Sequence, residues 1–366
     1  MPSEFTPYQI DHATYKRFDQ RNICFSRPKW DKSFIAYGRR IYQNAPQRIA
    51  QGLRGYSKDQ FAALTAAWHI HDIVPRIGPS EIILPREGTF EDYNPAGPTP
   101  EQNSILIKKF ANDLGSPDVG TTRVNKDWIY SLDVQGEPIE IDQLPYAVVF
   151  TVPMDQEKLK ESPNFIASTA VGVAYSKCRF IAQSLSEYIS HMGYTALPAV
   201  NETGLSVPLA IDAGLGEFGR NGLLINDRYG MGVRIAKVFT DMPLAQDSPV
   251  NLGVRKFCTK CKKCAESCPV KAISYEDNPD GRFFSISNNP GAHKWYVNVD
   301  KCYKFWTFNG SDCSNCVTSC PFTKPNTRTH RMARGIVKRT GSLNGLLLRM
   351  DNWLYGRPTS RSRKQS

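Results

Sequence analysis

Eight of the ten cysteines in this 366-residue chain fall between Cys258 and Cys320. The first run reads Cys258-x2-Cys261-x2-Cys264-x3-Cys268-Pro269, and the second reads Cys302-x10-Cys313-x2-Cys316-x3-Cys320-Pro321. Thiolates two residues apart can wrap one face of a four-iron cubane and turn backbone N–H groups toward its sulfurs. The Cys-Pro that ends each run leaves in another direction and ligates the other cluster. On that rule Cys258, Cys261, Cys264 and Cys320 hold one [4Fe–4S] cluster, while Cys302, Cys313, Cys316 and Cys268 hold the second. A disulfide framework fits poorly, because cysteines two apart rarely pair and the remaining chain is long enough to supply a core. Zinc also fits poorly, since it favours two separated Cys-x2-Cys pairs over a third cysteine at i+6 followed by Cys-Pro.

The double run is the bacterial ferredoxin arrangement with one departure. Ten residues, Tyr303 to Asp312, stand before Cys313 where two are usual, and the insert is aromatic. It is expected to reach away from its cluster toward another site. Trp306 and Phe305 are therefore candidate walls of a substrate pocket, and Trp30 and Trp68 are further candidates. Cys24 and Cys178 lie outside both runs and read as buried thiols. A pair of clusters conducts electrons and needs a terminus, which the chain upstream of Cys258 must supply.

The elements there are mixed α/β. Tyr146–Val152 is continuously apolar and predicts a buried strand. Ser162-Pro163 is expected to cap a helix that stops at Gly193, with Ile166, Val173, Phe180 and Leu185 on its apolar stripe. Residues Thr195–Val200, Gly222–Ile225 and Val233–Phe239 predict further short strands. In the last of these, Arg234 stands between Val233 and Ile235, where an inward charge needs a partner. Gly214-x-Gly216-x-x-Gly219 matches the dinucleotide fingerprint, but that motif requires a helix directly after it. Here Arg220–Ile225 returns to extended structure, so the glycines are read as letting backbone approach a flat, bulky ligand. His69 and His71 alternate and do not predict a metal pair, and no Asp-x-His-x-x-Gly is present to offer a histidine to cobalt.

Composition sets outer limits. With 40% apolar and 22% charged residues the chain reads as folded, and no apolar run approaches the roughly 18–20 residues that span a bilayer. The net charge of +11 is concentrated at the end, where residues 324–366 carry eleven Lys/Arg against Asp351. That segment could meet phosphates, an anionic membrane or an acidic partner, or be a solvated tail. Arg39-Arg40 is followed by a polar stretch and does not read as an export leader.

Several segments together resemble the corrinoid- and iron–sulfur-dependent reductive dehalogenases. They are Asn201–Arg220 (Asn-Glu-Thr-Gly…Gly-Leu-Gly-Glu-Phe-Gly-Arg), Tyr229–Asp241, Phe257–Ala265 and Lys301–Trp306. The likeness runs from about Tyr15–Arg21 and Phe25–Arg27 to Met350-Asp351. Epoxyqueuosine reductases, a related group, share the glycine-rich segment and both cysteine runs. They typically carry a Thr-Ile-Glu-like stretch where this chain has Phe305-Trp306-Thr307.

The resemblance implies an α+β fold: a nitroreductase-like cobalamin-binding core joined to a ferredoxin-like two-cluster domain. The expected divisions are residues 1–120 covering the pocket, 121–250 as the core, 251–330 as the cluster domain, and 331–366 as a basic helix and tail. It places the proton donor at Tyr175, with Asn201 and Arg234 beside it. Cobalamin without a histidine lower ligand is expected near Thr203, Gly204, Gly214, Gly216 and Gly219. A guanidinium beside a tyrosine stabilises the tyrosinate and readies the group as an acid. The implied reaction replaces halogen by hydrogen on a small organohalide, using Co(I) cobalamin fed by the clusters from an external electron donor. The alternatives are reduction of epoxyqueuosine in transfer RNA and plain electron carriage. No nucleic-acid partner is expected. A small membrane anchor protein is an expected partner, with the chain on the outer face of the cytoplasmic membrane if a leader has been removed, and in the cytoplasm otherwise.

Overall fold

The computed structural model describes residues 7–73, 82–86 and 98–357. The basic tail beyond Arg357 lies outside the described residues. At the centre is a four-stranded antiparallel sheet in the order β1 (Asp118–Arg123), β2 (Tyr146–Pro153), β6 (Val233–Thr240) and β3 (Ala196–Ala199). A hairpin of β4 (Glu217–Phe218) and β5 (Leu224–Ile225) stands apart from it. Helices α1 (Ala45–Ala50), α2 (Lys58–Ile73) and α3 (Pro100–Asp113) precede the sheet. Helices α4 (Gln156–Leu159) and α5 (Phe165–His191) follow β2, and α6 (Ser206–Asp212) follows β3. The cysteine-rich lobe holds α7 (Val254–Lys260), α8 (Lys263–Glu266), α9 (Val299–Asn309) and α10 (Asn315–Thr318), before α11 (Arg328–Arg339) and α12 (Asn344–Tyr355).

Both faces of the sheet are covered. Alternation along β2 sends Val148, Phe150 and Val152 toward α5, and Ala147 and Val149 toward α6 and the Trp128–Tyr130 segment. The same alternation in β6 puts Ala236 and Val238 on the α5 side, and Arg234 shares their parity. Residue 120 falls inside β1, and α3 packs on that strand and on α5, so the sheet core begins upstream of the division expected there.

Helix α5 differs from its sequence reading in two respects. Its cap is Asn164, whose side chain accepts from the Ile166 and Ala167 N–H groups, so Ser162-Pro163 precede the helix. Its buried face is made of Ala167, Ala170, Ala174, Cys178, Ile181, Ala182, Leu185 and Ile189, while Val173 and Phe180 are exposed. Small residues on that face let α5 lie close to the sheet, so the largest apolar side chains were a misleading guide to the inward stripe. Glu217 and Phe218, inside Gly214-x-Gly216-x-x-Gly219, form β4, and β5 follows with no helix between, which removes the dinucleotide fold.

Candidate active site

Tyr175 lies on α5 beneath a set of groups brought from elsewhere. The Trp68 indole of α2 stacks on its ring, with centroids 5.0 Å apart and planes at 28°. His71, one turn further along α2, meets the same ring edge-on at 5.3 Å. The Arg234 guanidinium of β6 sits over the ring, 5.0 Å from its centroid. It therefore contacts the π face, and the Arg234 Nε is buried without a protein partner. The close approach of α2 depends on Gly172, three residues before Tyr175. A Cβ there would stand 2.6 Å from Trp68 Cδ1. Ser176 ties the helices together, donating to Ala67 O and accepting from the His71 N–H.

Asn201 opens the loop after β3, and a buried charge network sets that loop's shape. Glu202 Oε2 accepts from the Val200 and Asn201 N–H groups at 2.8 and 3.1 Å, and Oε1 accepts from Arg179 at 2.9 Å. The Arg179 cation holds the Glu202 carboxyl below its ordinary range despite burial, which pushes the other way. From β6, Lys237 Nζ donates to Val200 O, Gly204 O and Ser206 Oγ. Burial pulls its ammonium down to about 7, against the opposing charge of Glu202. Thr203 is pinned at φ +69° with its hydroxyl buried and without a protein partner. Such backbone costs on the order of 1–3 kcal/mol and persists only where its surroundings over-determine it.

Beyond this loop lies an open cleft of about 330 Å³. Asn201, Tyr130, Ser206, Phe218, Lys294 and Trp295 are among the residues that line it. Tyr130 links cleft and tyrosine: burial raises its hydroxyl, and it is near enough to Glu202 and Tyr175 for their charges to raise it further. His293 lines the cleft from an exposed position. Thr203, Gly204, Gly214, Gly216 and Gly219 are not among the lining residues. The missing side chains of the glycines are explained by protein: a Cβ at Gly214 would meet Ser248 O, one at Gly216 Ile225 O, and one at Gly219 the Met231 side chain. The close backbone approach read from the sequence is thus to the chain itself.

In the cysteine-rich lobe, Cys258, Cys261, Cys264 and Cys320 line one small cavity with Met231, Phe257 and Phe322. Cys302 feels the charges of Cys313, Cys316 and Cys268, and also of Cys24. Burial drives the Cys258 thiol up to about 11 and those of Cys261 and Cys313 up to about 12. Groups of buried sulfurs that repel one another as thiolates call for a cation to hold them. Among the described residues no three His, Cys, Asp or Glu side chains converge as a single ion requires.

The insert after Cys302 forms α9, and it does reach away. Trp306 and Tyr303 pack against Phe25, Phe34 and Ala36 of the N-terminal segment, with the Trp306 Nε1 buried and without a protein partner. Phe305 is half-buried. Trp30 is 49% exposed and donates to Arg21 O, so of the aromatic candidates only Trp68 has a ring contact with Tyr175 among the described residues.

Residues 257–324 match the family model of the 4Fe-4S dicluster domain. The chain is 42% identical over 304 residues to a tetrachloroethene reductive dehalogenase of Desulfitobacterium hafniense, an alignment covering 71% of this chain and 55% of that one. It is 35% identical over 290 residues to the tetrachloroethene reductive dehalogenase of Sulfurospirillum multivorans, covering 70% and 58%. This chain is a homologue of the reductive dehalogenases. It spans somewhat over half the length of those curated relatives. The fold agrees: a catabolic reductive dehalogenase solved with 3-bromo-4-hydroxybenzoic acid superposes with a TM-score of 0.77 at 23% identity, covering 98% of this chain and 49% of that one. An epoxyqueuosine reductase of Lactococcus garvieae matches over only 99 residues, about a quarter of each chain.

Three features of this reductive dehalogenase homologue escaped the sequence reading. His71 was set aside as half of an unsuitable pair, yet its side chain is buried against Tyr175; its spacing from Trp68 was the available signal. Asp312 is buried beside Arg234 and Ser168, immediately before Cys313, and burial pushes its carboxyl up. The Arg179–Glu202–Lys237 network is spread over α5, a loop and β6, and nothing local announces it.

Proposed function

We propose that this chain is a reductive dehalogenase that replaces halogen by hydrogen on a small organohalide. Two electrons and one proton convert the carbon–halogen bond into a carbon–hydrogen bond and release halide. The supporting observation is Tyr175 held against Trp68 and Arg234, with Asn201 and Tyr130 on the wall of a cleft that abuts the dicluster domain. Cobalamin is the cofactor that the cleft would take, bordered by Asn201, Tyr130, Ser206 and Trp295; when bound and reduced, it supplies the electrons that break the bond.

The residues of the chain do the rest. The eight run cysteines hold the clusters that accept electrons from an external donor. Tyr175 gives its phenolic proton to the carbon. Arg234, fixed over the ring, is a cation ready to offset charge as that proton leaves. Trp68 shuts water away from the ring face. The Glu202 network holds Asn201 at the cleft wall, where its amide can donate to the departing halide.

Residence at a membrane surface is part of the proposal. No helix among the described residues is long and apolar enough to cross a membrane. What supports surface attachment is α12, whose Leu347 and Leu348 pack on the core while Leu346, Met350, Trp353 and Leu354 face outward. Exposed Lys338, Arg339, Arg349 and Arg357 stand near this stripe, a pattern suited to anionic lipid.

The test is anaerobic reconstitution with iron, sulfide and cobalamin, followed by reduced-dye oxidation against chlorinated and brominated alkanes, alkenes and phenols. Halide release that Tyr175→Phe abolishes is the expected result. Bound cobalamin with no halide from any compound would overturn the reading.

A further inference from the structure

Among the described residues four arginines are buried: Arg27, Arg179, Arg220 and, least completely, Arg334, whose guanidinium donates to Asn326 Oδ1. Two have carboxylate partners, Arg27 with Asp31 and Asp300, and Arg179 with Glu202. Arg220, fully buried, has no carboxylate within ion-pair distance among the described residues. Its guanidinium donates only to backbone carbonyls: Nε to Cys261 O at 3.1 Å, Nη1 to Ser274 O at 2.9 Å and Glu276 O at 2.5 Å, and Nη2 to Cys258 O. Its outer face rests on the Trp295 ring at 4.5 Å, and Trp295 is a wall of the cleft.

A guanidinium does not lose its proton in a protein, and a cation buried without an anion is costly. Neutral carbonyls satisfy its hydrogen bonds but do not neutralise it. The nearest acid on the same hairpin, Glu217, is itself buried and accepts from the Leu252 and Val254 N–H groups at the start of α7. Burial raises its carboxyl, which makes it a weak counter-ion. Asp277 is exposed and paired with Lys262. The missing negative charge is therefore the one the neighbouring cysteines create. Two of Arg220's four acceptors are the carbonyls of Cys258 and Cys261, both of which line the cluster cavity.

We propose that Arg220 is the countercharge of the cluster held by Cys258, Cys261, Cys264 and Cys320, and that it holds that cluster's reduction potential up. Taking up one electron makes an anionic cluster more negative, and a fixed cation beside it favours the reduced form. The next residue of the same turn, Asn221, donates its side-chain amide to Met231 Sδ at 3.1 Å, and Met231 lines the same cavity. The β4–β5 turn thus sets a charge and a dipole beside one cluster. Arg220 is a positioning and tuning residue, since it touches neither organohalide nor corrinoid.

The proposal rests on the two-cluster assignment and not on the dehalogenase reading, so the failure of either is seen separately. The full chain, reconstituted with iron and sulfide alone, is titrated with dithionite and mediator dyes while EPR follows each cluster. Arg220→Gln is expected to move one midpoint to more negative potential and leave the other in place. Arg220→Lys, which keeps the charge but not the fork, is expected to stay nearer the wild-type value. Loss of one cluster's iron from the glutamine variant alone would equally support a countercharge. Unmoved midpoints with full iron would overturn the proposal, as would equal shifts in both variants. Loss of that cluster from both variants would make Arg220 a builder of the α7–α8 loop, and would overturn it too.

Discussion

In the cluster lobe, Cys258, Cys261 and Cys264 lie on or between two short helices, α7 and α8, and their spacing along the chain brings them together. Around Tyr175, Trp68 comes from α2, Gly172 from α5, Glu202 from the loop after β3 and Arg234 from β6. Those groups meet only because α5 lies on the sheet and α2 lies on α5. The first arrangement needs a ligand to hold it, because buried thiols repel one another once ionised. The second needs close packing, with Arg179 paired to Glu202 and Arg234 resting on the Tyr175 ring.

The comparison can be broken most severely at a cysteine. Cys264→Ser should remove about half of the bound iron and unfold part of the lobe, since metal binding and folding are coupled there. Iron analysis and visible absorption would show it, while the β2–β6 core should keep its circular dichroism. Full iron in that variant would break the ligand grouping. Tyr175→Phe should do the reverse, leaving iron and fold intact and lowering dehalogenation by about 10²–10⁴-fold, the usual contribution of a positioned acid. A smaller loss would move the proton source elsewhere.

Packing changes sharpen the other side. Glu202→Ala leaves Arg179 buried without its carboxylate and should cost about 3–5 kcal/mol, read as a lowered melting temperature with iron retained. Gly172→Ala drives a methyl into Trp68 and should cost about 1–3 kcal/mol, with a shift in tryptophan fluorescence. Trp353→Ala, on the exposed stripe of α12, should change stability by no more than about 0.5 kcal/mol. It should nonetheless weaken sedimentation with anionic vesicles, and unchanged sedimentation would remove the membrane-surface proposal.

Legibility followed the range of the interaction. The two cysteine runs, the β2 strand and the extended return after Gly219 were readable because each depends on residues within about ten positions. The inward face of α5 was misread because close packing against the sheet favours alanines over Val173 and Phe180, and periodicity weights large side chains. The glycines of the 214–219 segment pointed to close backbone approach, but whether the neighbour is ligand or protein depends on where residues 225, 231 and 248 come to lie.

By itself the sequence determined the chemistry that the two cysteine runs can support, and through its resemblance to a family it named Tyr175, Asn201 and Arg234. Tertiary structure alone decided that His71 and Trp68 enclose Tyr175, that Arg234 meets the ring by its face, and that Asp312 lies beside it. It also decided that Arg220 is buried with no carboxylate within ion-pair distance among the described residues. The physical reason is that spacing can specify a metal's ligands, whereas the balance of a buried charge depends on every chain segment that crosses its neighbourhood.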